Sequence, residues 1–149
     1  MQTRFNPTTL VPSFELCREL VKLELFKDNY RNGGFFWIKH YDYNYIIEFW
    51  DLVYFPPNFP FINTTIKIKA PTVVELLDFL PKFLTRAFDY IKGYLKIEKH
   101  NDIYRAYYGF DLVAEDENLA NALAELLIKL VKLSKKGEVK WKLDSQQHK

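Results

Sequence analysis

The spacing of apolar and polar residues changes period several times along the chain, and the first clear period is helical. From Phe14 the apolar residues recur every three or four positions, which predicts a helix. Ser13 precedes it as an N-cap, and Glu15 lies in the first turn, where a carboxylate favours the positive end of the helix dipole. The pattern fades near Phe26, because residues 28–34 are rich in the Asn, Asp and Gly of turns.

The next two segments are dense in aromatic and β-branched residues, which predicts a β-hairpin. Its strands cover residues 35–41 and 45–55, and residues 41–44 can turn between them. The second strand is apolar on both of its faces. A strand of this kind is normally covered on both sides, so we expect helices or another molecule to cover it.

The middle of the chain alternates and then returns to a helical pattern. Residues 62–69 alternate apolar and polar side chains, which predicts a strand with one wet face. Thr72 and Glu75 have the spacing of a capping box and predict the start of a helix that runs to about Ile97. Pro81 is expected to kink this helix or divide it in two, since proline lacks the N–H that a helix interior needs.

The last third of the chain predicts a strand, a helix and a second strand. Residues 103–113 form the first strand, a helix ending at Gly137 follows, and residues 138–143 alternate as a short terminal strand. The predicted order is α-β-β-β-α-β-α-β in one domain spanning residues 1–149. This order indicates an α+β fold: a mostly antiparallel, aromatic-rich sheet of about five strands with two long helices packed on it.

Composition narrows the class of protein without naming a function. Of the 149 residues, 48% are apolar and 27% charged, which excludes a disordered chain, and 17% are aromatic. The net charge of +2 gives no strong overall attraction to nucleic acid or to an anionic membrane. We expect no membrane span, because no apolar run reaches 18 residues, and no secretory signal, which together predict a cytoplasmic protein. The one cysteine, Cys17, is expected in the core, and no cofactor is predicted.

The final helix is apolar around most of its circumference, so it must be buried on more than one side. Two alternatives fit this pattern. The helix lies between the sheet and the helix predicted for residues 72–97, or one of its faces docks on a second protein chain. For the second alternative, the predicted partner-binding residues are Leu119, Leu123, Leu126, Leu130 and Leu133.

Aromatic residues on the predicted sheet, with basic residues nearby, suggest RNA or single-stranded nucleic acid as a second ligand class. Residues 129–142 contain six lysines and one glutamate, a net charge of +5. Residues 105–112 do not match the RNA-recognition consensus, so core and cross-strand pairs are the preferred explanation of the rings, with nucleic acid as the alternative. The candidate nucleic-acid-binding residues are Trp37, Tyr41, Tyr43, Tyr104, Arg105, Tyr107, Lys132, Lys135, Lys136, Lys140 and Lys142.

Only one pattern suggests catalysis. The segments Lys39-His40-Tyr41-Asp42 and Lys99-His100-Asn101-Asp102 each place a histidine two residues before an aspartate, a pair able to act as a general base. No phosphate-binding, zinc-protease or serine-hydrolase motif accompanies them, and no metal site is predicted. The leading interpretation is therefore a non-catalytic interaction protein, an accessory subunit or inhibitor within a larger assembly. A nucleic-acid-binding subunit is the alternative, and a small-ligand binder or a hydrolase built on His40, Asp42, His100 and Asp102 comes third.

Overall fold

The computed structural model describes residues 10–26, 33–62, 65–85, 92–109 and 112–137, and these form an α+β fold with antiparallel sheets, as predicted. Three helices and eight strands occur in the described residues. In chain order they are α1 (Phe14–Lys22), β1 (Gly34–Asp42), β2 (Ile47–Phe55), β3 (Lys67–Ala70), α2 (Val73–Phe79), β4 (Phe83–Thr85), β5 (Lys92–Tyr94), β6 (Lys96–His100), β7 (Ile103–Tyr108), β8 (Leu112–Asp116) and α3 (Leu119–Lys135).

The described strands form three small sheets, so the expectation of one sheet of about five strands is wrong. Their orders are β2-β1-β3, β4-β5 and β6-β7-β8, and every pairing is antiparallel. Each sheet is built from strands that are close in sequence. Pro56 and Pro57 follow β2 and have no N–H to donate to a continuing ladder, so this strand ends at Phe55.

The long helix predicted for residues 72–97 is also wrong, although its start is correct. Thr72 and Glu75 form the capping box: Thr72 Oγ1 accepts from Glu75 N at 3.3 Å, and Glu75 Oε1 accepts from Thr72 N at 3.2 Å. The helix ends at Phe79 because Leu80 is extended before Pro81, which disfavours helical geometry in the residue ahead of it. In the described part of the remaining segment the chain forms β4, β5 and the start of β6.

Two further predicted strands differ in extent. The strand predicted for residues 103–113 is a hairpin of β7 and β8, because Gly109 adopts a φ of +66° and reverses the chain. The strand predicted for residues 62–69 is reduced to β3. The strand predicted for residues 138–143 lies outside the described residues.

The first helix and the hairpin are confirmed. Ser13 caps α1, with its hydroxyl accepting from Leu16 N at 3.3 Å. Strands β1 and β2 pair along nine positions, and the turn between them falls at residues 43–46. Asp42 sets this turn, since its Oδ1 accepts from Asn44 N at 2.9 Å and from Tyr45 N at 3.4 Å.

The main core surrounds α3. Asn118 caps this helix, since its side chain accepts a hydrogen bond from Ala120 N at 2.8 Å. The buried side chains of α3 pack on α1, α2, β7 and β8. A smaller cluster lies between α1 and the first sheet, where Val11, Cys17 and Ala70 are buried. Burial raises the pKa of Cys17 to about 12, so the thiol stays protonated. The first sheet thus has α1 on one face, which decides the part of the hairpin that stays exposed.

Candidate interaction surface on the β1–β2 hairpin

The register of β1 and β2 divides the hairpin side chains between two faces. On one face lie Trp37 and its neighbour Leu52, which belong to the cluster beneath α1. Phe14 of α1 packs here, with its ring centroid 5.6 Å from that of Trp37 and 4.7 Å from that of Trp50. This face is therefore covered by the chain itself along most of its length.

The opposite face is covered only near the base of the hairpin. Phe36 is fully buried there, and its ring lies 5.3 Å from that of Phe61. Phe61 also contacts Phe55 at 4.8 Å and Phe59 at 5.0 Å, so the segment after β2 folds back as an aromatic cluster. Ile38, the next residue of β1 on this face, is also buried, and from His40 and Phe49 onwards this face is exposed.

Residues 41–49, called the hairpin tip from here on, expose a group of large apolar side chains. Tyr43, Ile46 and Tyr45 are 85%, 76% and 75% exposed. The exposed apolar side chains of the tip are Tyr41, Tyr43, Tyr45, Ile46, Ile47 and Phe49. Surfaces of this kind commonly mark sites of protein or membrane contact, and tyrosine is enriched at protein interfaces.

The hairpin carries more acid than base. Across residues 35–55 the charged side chains are Lys39, Asp42, Glu48 and Asp51, which give a net charge of −2 with His40 neutral. Lys39 Nζ lies 2.9 Å from Glu48 Oε2, so the only cation of the hairpin is already paired. The exposed aromatic surface is thus surrounded by carboxylates, which repel phosphate groups.

Strand β2 is an edge strand, and no described strand pairs with its outer side. Lys39 N donates to Ile66 O at 3.1 Å, so the odd-numbered residues of β1 direct their backbone groups to β3 and the even-numbered ones to β2. The register then assigns the odd residues of β2 to bonds with β1. The backbone N–H and C=O groups that point outwards therefore belong to Glu48, Trp50, Leu52 and Tyr54. This outward row is called the open edge below.

The two predicted His/Asp pairs lie in different sheets. Three of the four residues make local contacts with neighbouring side chains or with the backbone. His40 stacks on Phe49 with centroids 5.1 Å apart, and Asp42 caps the hairpin turn. His100 Nε2 lies 3.4 Å from Glu98 Oε2 at the end of β6, and Asp102 follows in the turn with a φ of +67°. No group of three or more His, Cys, Asp or Glu in the described part of the chain is placed to hold a metal ion.

The leucines predicted to bind a partner lie in the chain's own core. Leu123, Leu126 and Leu130 are fully buried, and Leu119 and Leu133 are partly buried against the same cluster. Of the two alternatives open from the sequence, internal burial is therefore the one the structure contains. In the folded chain these five leucines are not a free docking face, because α1, α2, β7 and β8 already surround the helix.

The aromatic and basic residues predicted for nucleic acid are divided between surfaces. Trp37 lies under α1, whereas Tyr41 and Tyr43 form an exposed pair with centroids 4.6 Å apart. On β7, Tyr104 is on the opposite face of the strand from Arg105 and Tyr107, since strand side chains alternate. The predicted residues therefore do not form one stacking platform.

Arg105 and Tyr107 are engaged with carboxylates. Arg105 Nε lies 3.2 Å from Glu115 Oε1, and the hydroxyl of Tyr107 donates to Glu98 Oε1 at 2.8 Å. This hydrogen bond lowers the pKa of Glu98 and raises that of Tyr107. A guanidinium paired with a carboxylate on a mixed-charge surface is a poor phosphate site.

The predicted lysines are only partly described. Lys132, Lys135 and Lys136 are exposed at the C-terminal end of α3, where cations favour the negative end of the helix dipole. Lys140 and Lys142 lie outside the described residues.

Sequence reasoning missed Tyr45, Ile46, Ile47 and Phe49 as candidate site residues. A signal for them was present, since the second strand of the hairpin was expected to be covered by helices or by another molecule. The structure supplies a covering helix on one face only, and it leaves the tip exposed.

Comparison of the chain with protein-family models, with curated proteins and with solved structures finds no match. In the described residues no helix has both the length and the apolar character needed to cross a membrane. The exposed hairpin and its surroundings are the feature of the molecule from which a function can be inferred.

Proposed function

We propose that this chain is a non-catalytic interaction module that docks a partner protein on the exposed hairpin tip, as an accessory subunit or inhibitor within a larger assembly. One observation carries the proposal: three neighbouring apolar side chains, Tyr43, Tyr45 and Ile46, are each at least three-quarters exposed. Each would contribute about 1.5–3 kcal/mol if fully buried. Ordering the side chains and the partner offsets much of this, and about 1 kcal/mol each remains as a working value.

The proposal is tested by replacing the three residues together. In cells that naturally make the protein, tagged wild type and a Tyr43→Ser/Tyr45→Ser/Ile46→Ser variant are purified, and co-purifying proteins are quantified by mass spectrometry. Loss of about 3 kcal/mol corresponds to a roughly hundredfold weaker complex. The variant should therefore lose its specific partner while its thermal stability changes little, because the replaced side chains contribute little to the core.

A control variant removes three exposed apolar side chains elsewhere on the surface. Ile62→Ser/Val74→Ser/Tyr94→Ser replaces three exposed residues outside the tip. It should retain the partner. If the tip variant keeps the partner as well as the control does, the proposed docking site is wrong.

Nucleic-acid binding is the second candidate, favoured by the exposed lysines at the end of α3. Such binding would weaken steeply as salt rises, because lysines that contact phosphates release counterions. It would also be lost in a Lys132→Gln/Lys135→Gln/Lys136→Gln variant, measured with labelled polyuridine by fluorescence anisotropy. Binding that requires the tip and is insensitive to these lysines would reject the nucleic-acid function.

A further inference from the structure

The open edge of β2 lacks most of the features that usually protect a sheet edge. Proteins protect exposed edges with short strands, charged side chains (lysine above all), proline or bulges. Strand β2 is nine residues long, pairs with β1 without a bulge, and contains no lysine or proline. The opposite edge of the same sheet is β3, which has four residues, of which two are lysines, and is followed by Pro71.

The two edge strands of the third sheet are also shorter than β2. Strand β6 has five residues and carries Lys96 and Lys99, and β8 has five residues without lysine or proline. Strand β2 is therefore unusual within this chain, since its outward backbone groups are flanked by exposed apolar residues. A long, apolar, unprotected edge is the surface to which an extended segment adds as a new strand.

The charge of the open edge restricts the chemistry of that segment. Glu48 and Asp51 are the only charged residues of β2, and both are exposed. An added strand would place its side chains roughly 5 Å from those of β2 on either face. Glu48 is already paired with Lys39, whereas Asp51 lies on the other face of the strand, together with Ile47 and Phe49. The cations of an alternating segment all lie on one face, so lysine or arginine on this face would pair with Asp51 and cover Ile47 and Phe49 with its aliphatic stem. A second copy of β2 would instead add a second Asp51 carboxylate without an unpaired lysine from the hairpin, because Lys39 is paired with Glu48.

We propose that the open edge of β2 receives an extended segment of a partner protein that alternates apolar residues with lysine or arginine, and that this segment pairs with β2 through main-chain hydrogen bonds. The inference rests on the proposed function, for which it specifies the partner's chemistry and its manner of binding. Strand addition satisfies outward backbone groups at Glu48, Trp50, Leu52 and Tyr54, and it leaves residues 41–46 of the hairpin tip free to contact the rest of the partner.

The first test uses two synthetic peptides with blocked ends, seven residues long. One alternates Lys and Val, and the other alternates Glu and Val. Titration into the full-length protein, followed by fluorescence anisotropy of labelled peptide, should give a Kd at least about tenfold lower for the lysine peptide. Equal binding of the two peptides, or binding of neither, would overturn the proposal.

The second test reads the backbone directly by amide hydrogen exchange in NMR. Amides of the odd residues of β2 are already bonded to β1, whereas those of Glu48, Trp50, Leu52 and Tyr54 point outwards. The lysine peptide should slow exchange at these four alternate amides only. Uniform slowing, or slowing confined to the tip, would show docking without strand addition. Slow exchange at the four amides in the free protein, together with a dimer in sedimentation, would assign the edge to a second copy and overturn the proposal.

Matched variants distinguish the contribution of a main-chain hydrogen bond from that of a carboxylate. Glu48→Pro removes one outward N–H and one carboxylate, and Glu48→Ala removes the carboxylate alone. The proline variant should bind the lysine peptide about tenfold more weakly than the alanine variant does. Glu48→Lys/Asp51→Lys should reverse the preference in favour of the glutamate peptide. An unchanged preference in the lysine variant would overturn the charge assignment.

The tip variant distinguishes failure of this inference from failure of the proposed function. If Tyr43→Ser/Tyr45→Ser/Ile46→Ser abolishes partner binding while Glu48→Pro does not, the module docks by its side chains and strand addition is wrong. If neither variant affects the partner, both proposals are wrong.

Discussion

Lys69 lies on β3 with its ammonium group fully buried, and its environment joins the first sheet to the start of α2. Its Nζ is 2.6 Å from Gly33 O and 3.1 Å from Glu75 Oε2. Glu75 also closes the capping box with Thr72. Replacement of Lys69 by methionine keeps the length and apolar stem of the side chain but removes the charge.

The expected loss in the free energy of unfolding depends on which charged group the substitution leaves without its ion-pair partner. Breaking a buried ion pair by removing one partner costs about 3–5 kcal/mol. In Lys69→Met the orphaned carboxylate of Glu75 is 26% exposed and keeps its bonds to Thr72, so the cost should fall near about 3 kcal/mol. In Glu75→Gln the orphan is the ammonium, which is fully buried with one carbonyl partner, so the cost should approach about 5 kcal/mol.

Urea denaturation followed by tryptophan fluorescence measures these free energies of unfolding. The control is Lys39→Met, which breaks a pair of similar length, 2.9 Å between Lys39 and Glu48, with both side chains partly exposed. That change should cost at most about 1 kcal/mol. The double variant Lys69→Met/Glu75→Gln should lose less than the two single losses combined. A Lys69→Met loss no larger than that of the control, or a milder loss in Glu75→Gln than in Lys69→Met, would refute the reasoning.

Two further predictions concern the core. Leu126→Ala should lower the free energy of unfolding by about 2–5 kcal/mol, because the side chain is fully buried. The control is Leu77→Ala, on the exposed side of α2. Equal losses in the two variants would contradict internal burial of α3. Cys17, with its pKa raised to about 12, should resist a thiol reagent such as dithionitrobenzoate at pH 8 and react fully in denaturant. Rapid labelling of the native protein would contradict its burial.

The elements that the sequence predicts correctly have strong local signals. The side-chain caps of α1 and α2 and the aromatic density of the first hairpin are each recognised within a few residues of sequence, and the structure contains each of them. The α+β class follows from the same signals. The function, the partner and the cellular location stay predictions.

The elements that were predicted wrongly lie in segments whose apolar residues fit more than one secondary structure. Residues 72–97 are apolar often enough to fit a helix, and only Pro81 indicates the end of α2. The strands that follow are three to five residues long, too short to show a period of their own. Within residues 103–113, Gly109 is the one residue that indicates a turn, and one glycine can also be accommodated inside a strand.

Local pattern could not decide which apolar surfaces are covered, and α3 and β2 show the physical reason. Both are apolar on more than one side, so the same rule predicts cover for both. A helix satisfies its backbone internally, so cover requires only apolar neighbours, and α1, α2, β7 and β8 provide them. An edge strand leaves one row of backbone groups to solvent, and β2 has β1 alone as a paired neighbour among the described strands. That outer row is where we propose that a partner strand adds, and the carboxylate of Asp51 favours a cationic one.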